Sequence, residues 1–169
     1  GFDEYYGIPY SNDMRPVQVL EGTEVAEYPV VQATLTTRYA KRATDFIHRN
    51  AKKPFFLYFA EAMPHKPLAS SEKHYLKASG GLYGAALADL DDSVGGVLDA
   101  LKQEGIDENK LVLFSSDNGA WFGGSCGGLR GMKGTSSEGG YRVPMIARWP
   151  GKIPAGRVNN ELAVMMDSF

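Results

Sequence analysis

Two segments of this chain place apolar residues at helical spacing. The first covers residues 34–51, where apolar side chains recur on one face. These are Leu35, Tyr39, Ala43, Phe46 and Ile47. The second covers residues 83–103, with five apolar residues predicted to face inward: Leu87, Leu90, Val94, Leu98 and Leu101. The acidic residues of this second helix, Asp89, Asp92 and Asp99, are expected to lie mostly in solvent.

Three short apolar runs have the length and composition of β-strands. Residues 55–60 are continuously apolar, which is typical of a strand covered on both faces. Two further strands are predicted, one beginning at residue 111 and one over residues 143–149. Residues 1–32 show little periodicity and are expected to form an ordered irregular loop. The alternation of helices and strands predicts an α/β layer fold with parallel strands.

Composition narrows the class of protein. The chain has 169 residues, enough for one domain with a substantial core. Its formal net charge of −2, without a basic run, argues against a nucleic-acid surface. No apolar stretch is long enough to form a transmembrane segment. A single cysteine excludes an internal disulfide framework.

The strand at residue 111 ends in a cluster of polar residues. Ser115 and Ser116 are followed by Asp117, Asn118 and Gly119. In open α/β sheets ligands bind at the carboxyl ends of strands. A carboxylate beside a carboxamide offers hard oxygen ligands, which suit Ca²⁺ or Mg²⁺. The alternative is an ordinary turn, because Asp-Asn-Gly is also common turn chemistry.

His65 follows the strand of residues 55–60 in a loop that two prolines stiffen. Its imidazole, with Lys66 beside it, can bind an anion or protonate a leaving group. The alternative is a surface histidine without a partner. His48 and His74 lie in helix-like polar surroundings and are expected to have no catalytic role.

Residues 131–140, the second half of a glycine-rich stretch that begins at residue 119, contain one lysine, Lys133, among glycines and hydroxyl residues. Small residues allow backbone amides and an ammonium to approach an anion closely. The stretch is not a P-loop, because Gly134 separates Lys133 from the following threonine. Glu138 and Arg142, four residues apart, are predicted to pair and brace the loop. Cys126 is predicted to be a bystander, because no histidine or helix start lies beside it.

In order along essentially all 169 residues, the chain resembles the type I sulfatases of the arylsulfatase A and N-acetylgalactosamine-6-sulfatase group. Gly-Phe-Asp at residue 1, Gly-Ile-Pro-Tyr-Ser-Asn-Asp at residue 7 and Pro-Phe-Phe-Leu-Tyr at residue 54, leading to His65, carry this resemblance. Ser-Asp-Asn-Gly at residue 116, Lys-Gly-Thr at residue 133 and Glu-Gly-Gly at residue 138 complete it.

The resemblance implies an alkaline-phosphatase-like α/β fold, with a largely parallel sheet flanked by helices, and hydrolysis of sulfate esters. It implies that Asp117 and Asn118 ligate Ca²⁺. It also implies that His65 and Lys133 are catalytic and contact the sulfate group or the leaving oxygen. Expected substrates are sulfated small molecules or glycans, and the expected location is periplasmic, secreted or lysosomal.

The family's nucleophile, a formylglycine made within a C/S-x-P-x-R motif, is missing from this chain. Residues 1–169 are therefore interpreted as the middle-to-late part of a single sulfatase catalytic domain, incomplete at its N-terminus. The formylglycine is expected upstream, and the chain alone is expected to be inactive.

Two other functions remain open from the sequence. A phosphoester or phosphonate hydrolase of the same superfamily would use similar groups, because both chemistries stabilise a tetrahedral anion. A non-catalytic α/β module, in which Asp-Asn-Gly is only a turn, is the other alternative.

Overall fold

The computed structural model describes residues 1–168, which belong to two compact units, Gly1–Gly105 and Ile106–Phe169. The first unit contains three strands and three helices. In chain order these are β1 (Tyr6–Gly7), β2 (Val19–Glu21), β3 (Glu24–Glu27), α1 (Leu35–Asn50), α2 (Glu72–Tyr75) and α3 (Gly81–Gln103). A single 3₁₀ turn, Gln32–Thr34, precedes α1.

The first 32 residues form a small antiparallel sheet, so the prediction of an irregular loop was wrong. The order is β1-β2-β3, with Tyr6 opposite Glu21 and Glu21 opposite Glu24. Gly22 makes the β2–β3 turn possible because its φ of 61° lies in the left-handed region. Strands of two to four residues are too short to show a two-residue period, which is why the pattern did not reveal them.

Helix α1 confirms the first predicted helix and supplies much of the core. Leu35, Tyr39, Ala43 and Ile47 are buried at a spacing of four residues, so they form one stripe along the helix. Leu35 and Tyr39 pack with Val19 of β2 in a hydrophobic cluster. The apolar face of α1 therefore joins the small sheet to the helical layer.

Helix α3 is where the sequence predicted, but a different face is buried. Leu101 is buried as expected, whereas Leu87 is 39% exposed. Asp89, expected in solvent, is only 5% exposed. Small residues face α1 instead, and Gly96 lies near the Thr44 methyl group, so the two helices approach closely there. Asp89 is buried because it satisfies polar groups of a neighbouring loop, a role that spacing alone does not show.

No helix among residues 1–168 has both the length and the apolar character needed to cross a membrane.

Residues 55–60 form no β-strand and pair with no strand among residues 1–168. Phe56 and Tyr58 are 61% and 64% exposed, and Phe2 stacks on both rings. On the other side, Phe55 contacts Phe46 of α1 edge to face. The expectation of a strand covered on both faces is therefore wrong for this part of the chain.

The second unit contains β4 (Val112–Ser115), α4 (Glu138–Tyr141) and β5 (Met145–Arg148). Single 3₁₀ turns cover Asp107–Asn109 and Met165–Ser168. Strands β4 and β5 were predicted and are present, but they pair antiparallel. A parallel pair needs a crossover that returns the chain to the starting end of the sheet. Here the connection packs at the carboxyl end of β4, where Gly119 N–H donates to Gly140 O at 2.9 Å, so β5 begins at that same end.

Candidate active site

His65 is held with its ring in one orientation. Its Nδ1 lies 2.9 Å from Asn12 Oδ1 and 2.7 Å from the carbonyl oxygen of Lys66. The Asn12 amide nitrogen donates to Gln32 Oε1 at 2.9 Å, so its Oδ1 is free to accept from the imidazole. Nδ1 therefore carries a hydrogen, and Nε2 is the nitrogen that can face a ligand. Among the described residues, Nε2 has no hydrogen-bond partner.

Asn12 positions His65, and sequence reasoning missed it. It is 3% exposed, and its amide nitrogen also lies 3.4 Å from His65 O and 3.3 Å from Pro67 O. Gln32 returns a hydrogen bond to Asn12 O at 2.7 Å. The signal was the position of Asn12 within a recognised run of residues, but nothing local connects it to a histidine 53 residues away.

The loop that carries His65 is hydrogen-bonded to helix α3 at both of its ends. Two acidic residues of the first unit, Glu61 and Asp89, form these links. At the start of the loop, Glu61 Oε1 accepts from Ser93 Oγ at 2.6 Å. At its end, the buried Asp89 accepts from Ser71 N at 2.6 Å and from Ser71 Oγ at 2.5 Å. Because both ends are tied to the same helix, the imidazole is carried by a braced loop rather than a free one.

Burial raises the pKa of Glu61 to about 7, with the hydrogen bonds from Ser93 and Thr36 opposing the shift and nearby Asp89 adding to it. Glu61 Oε2 is buried and has no hydrogen-bond partner among residues 1–168. Ionisation would leave an unsatisfied charged oxygen away from water, which explains why the proton is retained. Sequence reasoning did not single out Glu61.

The other two histidines each contact a carboxyl group of the first unit. His48 Nδ1 lies 2.7 Å from Glu104 Oε1, and His74 Nε2 lies 2.8 Å from Asp92 Oδ2. His74 thereby links α2 to α3, and His48 links α1 to the residue that follows α3.

In the second unit, Asp117 and Asn118 lie just beyond the end of β4. Asn118 Nδ2 donates to Asp117 Oδ2 at 2.5 Å, and Ser116 Oγ donates to Asn118 O at 3.0 Å. Asp117 is exposed and Asn118 is half-buried. This contact directs the Asn118 amide nitrogen toward its neighbour, which leaves its Oδ1 and the second Asp117 oxygen as two hard donors.

These two donors fit a calcium ion in kind but not in number. Oxygen ligands suit calcium, which takes about six to eight of them. Among the described residues, no group of three or more acidic, histidine or cysteine side chains could hold a metal. Asp117 and Asn118 can therefore be only part of a calcium site.

Lys133 lies at the corner of a turn beside this strand end. Thr135 N–H donates to Met132 O at 3.0 Å, and Gly134 supplies the positive φ of 85° that the turn requires. Lys133 N–H donates to Ala120 O at 2.9 Å, two residues beyond Asn118. Its ammonium forms no ion pair within residues 1–168. The structure therefore brings the backbone of Lys133 next to the Asp117–Asn118 segment.

The glycines of this stretch are required because backbone packs directly on backbone. A Cβ on Gly119 would overlap Gly139 O, and one on Gly139 would overlap Gly131 O. Gly139 N–H donates to Arg130 O at 2.8 Å. We expected these glycines to let an anion approach, but their observed role is to let three chain segments touch.

The remaining predicted features of the loop are structural. Glu138 and Arg142 do pair, at 3.6 Å, but both are about two-thirds exposed, so the pair contributes little stability. The Cys126 thiol lies 3.2 Å from Gly139 O.

The predicted site residues thus fall into two groups. Asp117, Asn118 and Lys133 are neighbours in the second unit, and His65 lies in the first. That all four share one cleft stays a prediction.

Comparison with known proteins defines the class. The chain is similar to the solved structure of Ps i-CgsB in complex with k-i-k-neocarrahexaose, with a TM-score of 0.77 and 31% identity, covering 92% of this chain and 41% of that one. It is also similar to the PsFucS1 sulfatase from Pseudoalteromonas sp., with a TM-score of 0.78 and 30% identity, covering 86% of this chain and 32% of that one. The fold is therefore alkaline-phosphatase-like α/β, as expected.

The model of the Sulfatase family matches residues 1–169, so the chain belongs to the sulfatase family. It is 41% identical over 193 residues to N-acetylgalactosamine-6-sulfatase of Canis lupus familiaris, covering 100% of this chain and 37% of that protein. It is 32% identical over 219 residues to arylsulfatase G of Homo sapiens, covering 100% of this chain and 42% of that protein. The chain thus spans about two fifths of the length of these relatives.

Proposed function

We propose that the full-length protein hydrolyses sulfate esters of sugars. The observation that carries this proposal is the hydrogen bond from Lys133 N to Ala120 O, which brings the backbone of Lys133 beside the Asp117–Asn118 segment. A lysine close to hard oxygen donors is suited to binding an ester of a tetrahedral anion, such as a sulfate monoester.

Each residue has a role in this proposal. Lys133 binds a sulfate oxygen and stabilises charge that develops on it. His65, with Nδ1 fixed by Asn12, uses Nε2 to contact the sulfate group or donate a proton to the leaving oxygen. Asp117 and Asn118 hold a calcium ion together with ligands from elsewhere in the protein. When bound, this ion would neutralise negative charge on the sulfate.

The nucleophile would come from another segment, because residues 1–169 contain no C/S-x-P-x-R motif. The chain alone would then lack turnover. Sugar sulfates are the preferred substrate class because the relatives include an N-acetylgalactosamine-6-sulfatase and a structure solved with neocarrahexaose.

The test is a substrate panel assayed with the full-length protein: N-acetylgalactosamine 6-sulfate, other sulfated sugars, an aryl sulfate and the matching aryl phosphate. Sulfate release from a sugar ester, lost in Lys133→Ala but kept in Lys152→Ala, supports the proposal. Lys152 is a matched control because it is an exposed lysine in the same unit. Turnover of the phosphate alone would instead favour a phosphoester hydrolase, and turnover of none would contradict the proposal.

A further inference from the structure

Trp121 and Phe122 are exposed aromatic residues in the segment between Asn118 and Lys133 of the second unit. Trp121 is 48% exposed and Phe122 is 61% exposed. They follow Asn118 by three and four residues. An exposed pair of aromatic side chains close in sequence to the proposed ligand-binding residues is a candidate contact surface for a ligand.

The backbone fixes Trp121 next to Lys133. Ala120, which immediately precedes Trp121, accepts the hydrogen bond from Lys133 N at 2.9 Å. On the other side, Gly124 N–H donates to Trp121 O at 3.0 Å and closes a turn in which Gly123 has a φ of 93°. Trp121 therefore lies between two hydrogen-bonded anchors rather than at the tip of a free loop.

Phe122 restricts the orientation of the indole. The two rings meet edge to face, with centroids 4.8 Å apart and an interplanar angle of 71°. This arrangement is favourable for aromatic pairs and leaves the indole partly open to solvent. The indole therefore presents a supported apolar surface in the segment whose backbone contacts Lys133, the residue proposed to bind sulfate.

We propose that Trp121 stacks against the sugar ring that carries the sulfate ester and so selects for glycan sulfates. The ring C–H groups of a pyranose form an apolar face that packs on an indole, while the anionic ester extends toward Lys133. Phe122 positions the indole. This inference rests on the proposed sulfatase function and adds a specificity residue to it.

The experiment uses the full-length protein and the sulfated sugar that it hydrolyses fastest. Trp121→Ala should raise KM for this sugar roughly tenfold, the size expected for losing one aromatic contact, while kcat is unchanged. Competitive inhibition by inorganic sulfate should stay unchanged, because that anion has no ring to stack. Trp121→Phe should restore most of the affinity. Tyr75→Ala is a matched control, since Tyr75 is 62% exposed on α2 in the first unit.

An unchanged KM in Trp121→Ala would overturn the inference. So would a parallel loss of sulfate inhibition and of thermal stability, which would show that Trp121 is covered by another part of the protein. Absence of sulfatase activity in the wild type would instead refute the proposed function itself. Failure of the stacking role thus leaves sulfatase activity present, whereas failure of the proposed function leaves no activity in the wild type.

Discussion

Glu61 makes the stability of this protein depend on pH in an unusual direction. Burial raises the pKa of its carboxyl from 4.5 to about 7 in the folded protein, whereas the unfolded chain has the ordinary value. Between these two values the folded state holds a proton that the unfolded state has lost. The contribution of the protonated Glu61 to the unfolding free energy is therefore complete below pH 4.5 and is lost as the pH rises toward 7.

The size of this contribution follows from the shift. One pKa unit corresponds to about 1.4 kcal/mol. The change from 4.5 to about 7 then gives at most about 3 kcal/mol of unfolding free energy lost across this range. The physical cause is the buried Oε2, which has no hydrogen-bond partner among residues 1–168 and cannot carry a charge without cost.

The Glu61→Gln variant isolates this effect, because glutamine keeps the shape and cannot ionise. Urea unfolding of the full-length protein is monitored by circular dichroism between pH 4.5 and pH 8. The unfolding free energy of the wild type should fall with rising pH relative to that of the variant. The variant should be the more stable of the two at pH 8 by up to about 3 kcal/mol. The unfolding free energy of Glu72→Gln, a substitution at an exposed position on α2, should change with pH as that of the wild type does.

Parallel curves for wild type and Glu61→Gln would refute the reasoning, because they would show that Glu61 titrates alike in the folded and unfolded states. A second readout is the loop itself. Since Glu61 ties the start of the His65 loop to Ser93, amide protection in residues 61–71 should fall above pH 7 in wild type relative to Glu61→Gln at the same pH.

Three further changes test the second unit. Lys133→Ala should lower kcat of the full-length enzyme by roughly two to three powers of ten with the fold intact, because one charge-stabilising donor is lost; an unchanged kcat would exclude a role in turnover. Asp117→Ala should weaken Ca²⁺ binding in calorimetry, because a carboxylate ligand is removed; equal affinity would show that Asp117 is not a ligand. Gly119→Ala should cost about 3 kcal/mol or more in urea unfolding, because the new methyl group overlaps Gly139 O. Gly95→Ala, in open space on α3, is the control and should not destabilise.

Local patterns predicted those parts of the fold that local physics governs. Helix α1 has its apolar residues on one face, so its bounds and buried stripe were both predictable. The strand ending before Asp117 was predictable because an apolar β-prone run stops abruptly at polar residues. The candidate residues Asp117, Asn118, Lys133 and His65 came from residue chemistry and from the order of motifs.

Long-range contacts decided what the patterns could not. The antiparallel pairing of β4 and β5 depends on where the glycine-rich connection packs. The hydrogen bond between Gly119 and Gly140 shows this position, and it is visible only in the folded structure. Asp89 looked like a solvent residue by spacing but is buried by its bonds to Ser71. A helical period describes which face is apolar, and it does not describe which polar groups a distant loop brings to that face.

The sequence by itself determined the family, the main helix and the residue types able to bind a sulfate ester, because these depend on composition and order along the chain. Only the tertiary structure decided that Asn12 fixes the tautomer of His65 and that Glu61 Oε2 is buried, which raises the pKa of that carboxyl. Both depend on atoms brought together from residues 53 and 32 positions apart in the chain. Burial and hydrogen bonding at that range arise from packing, and packing is a property of the folded chain rather than of any local segment.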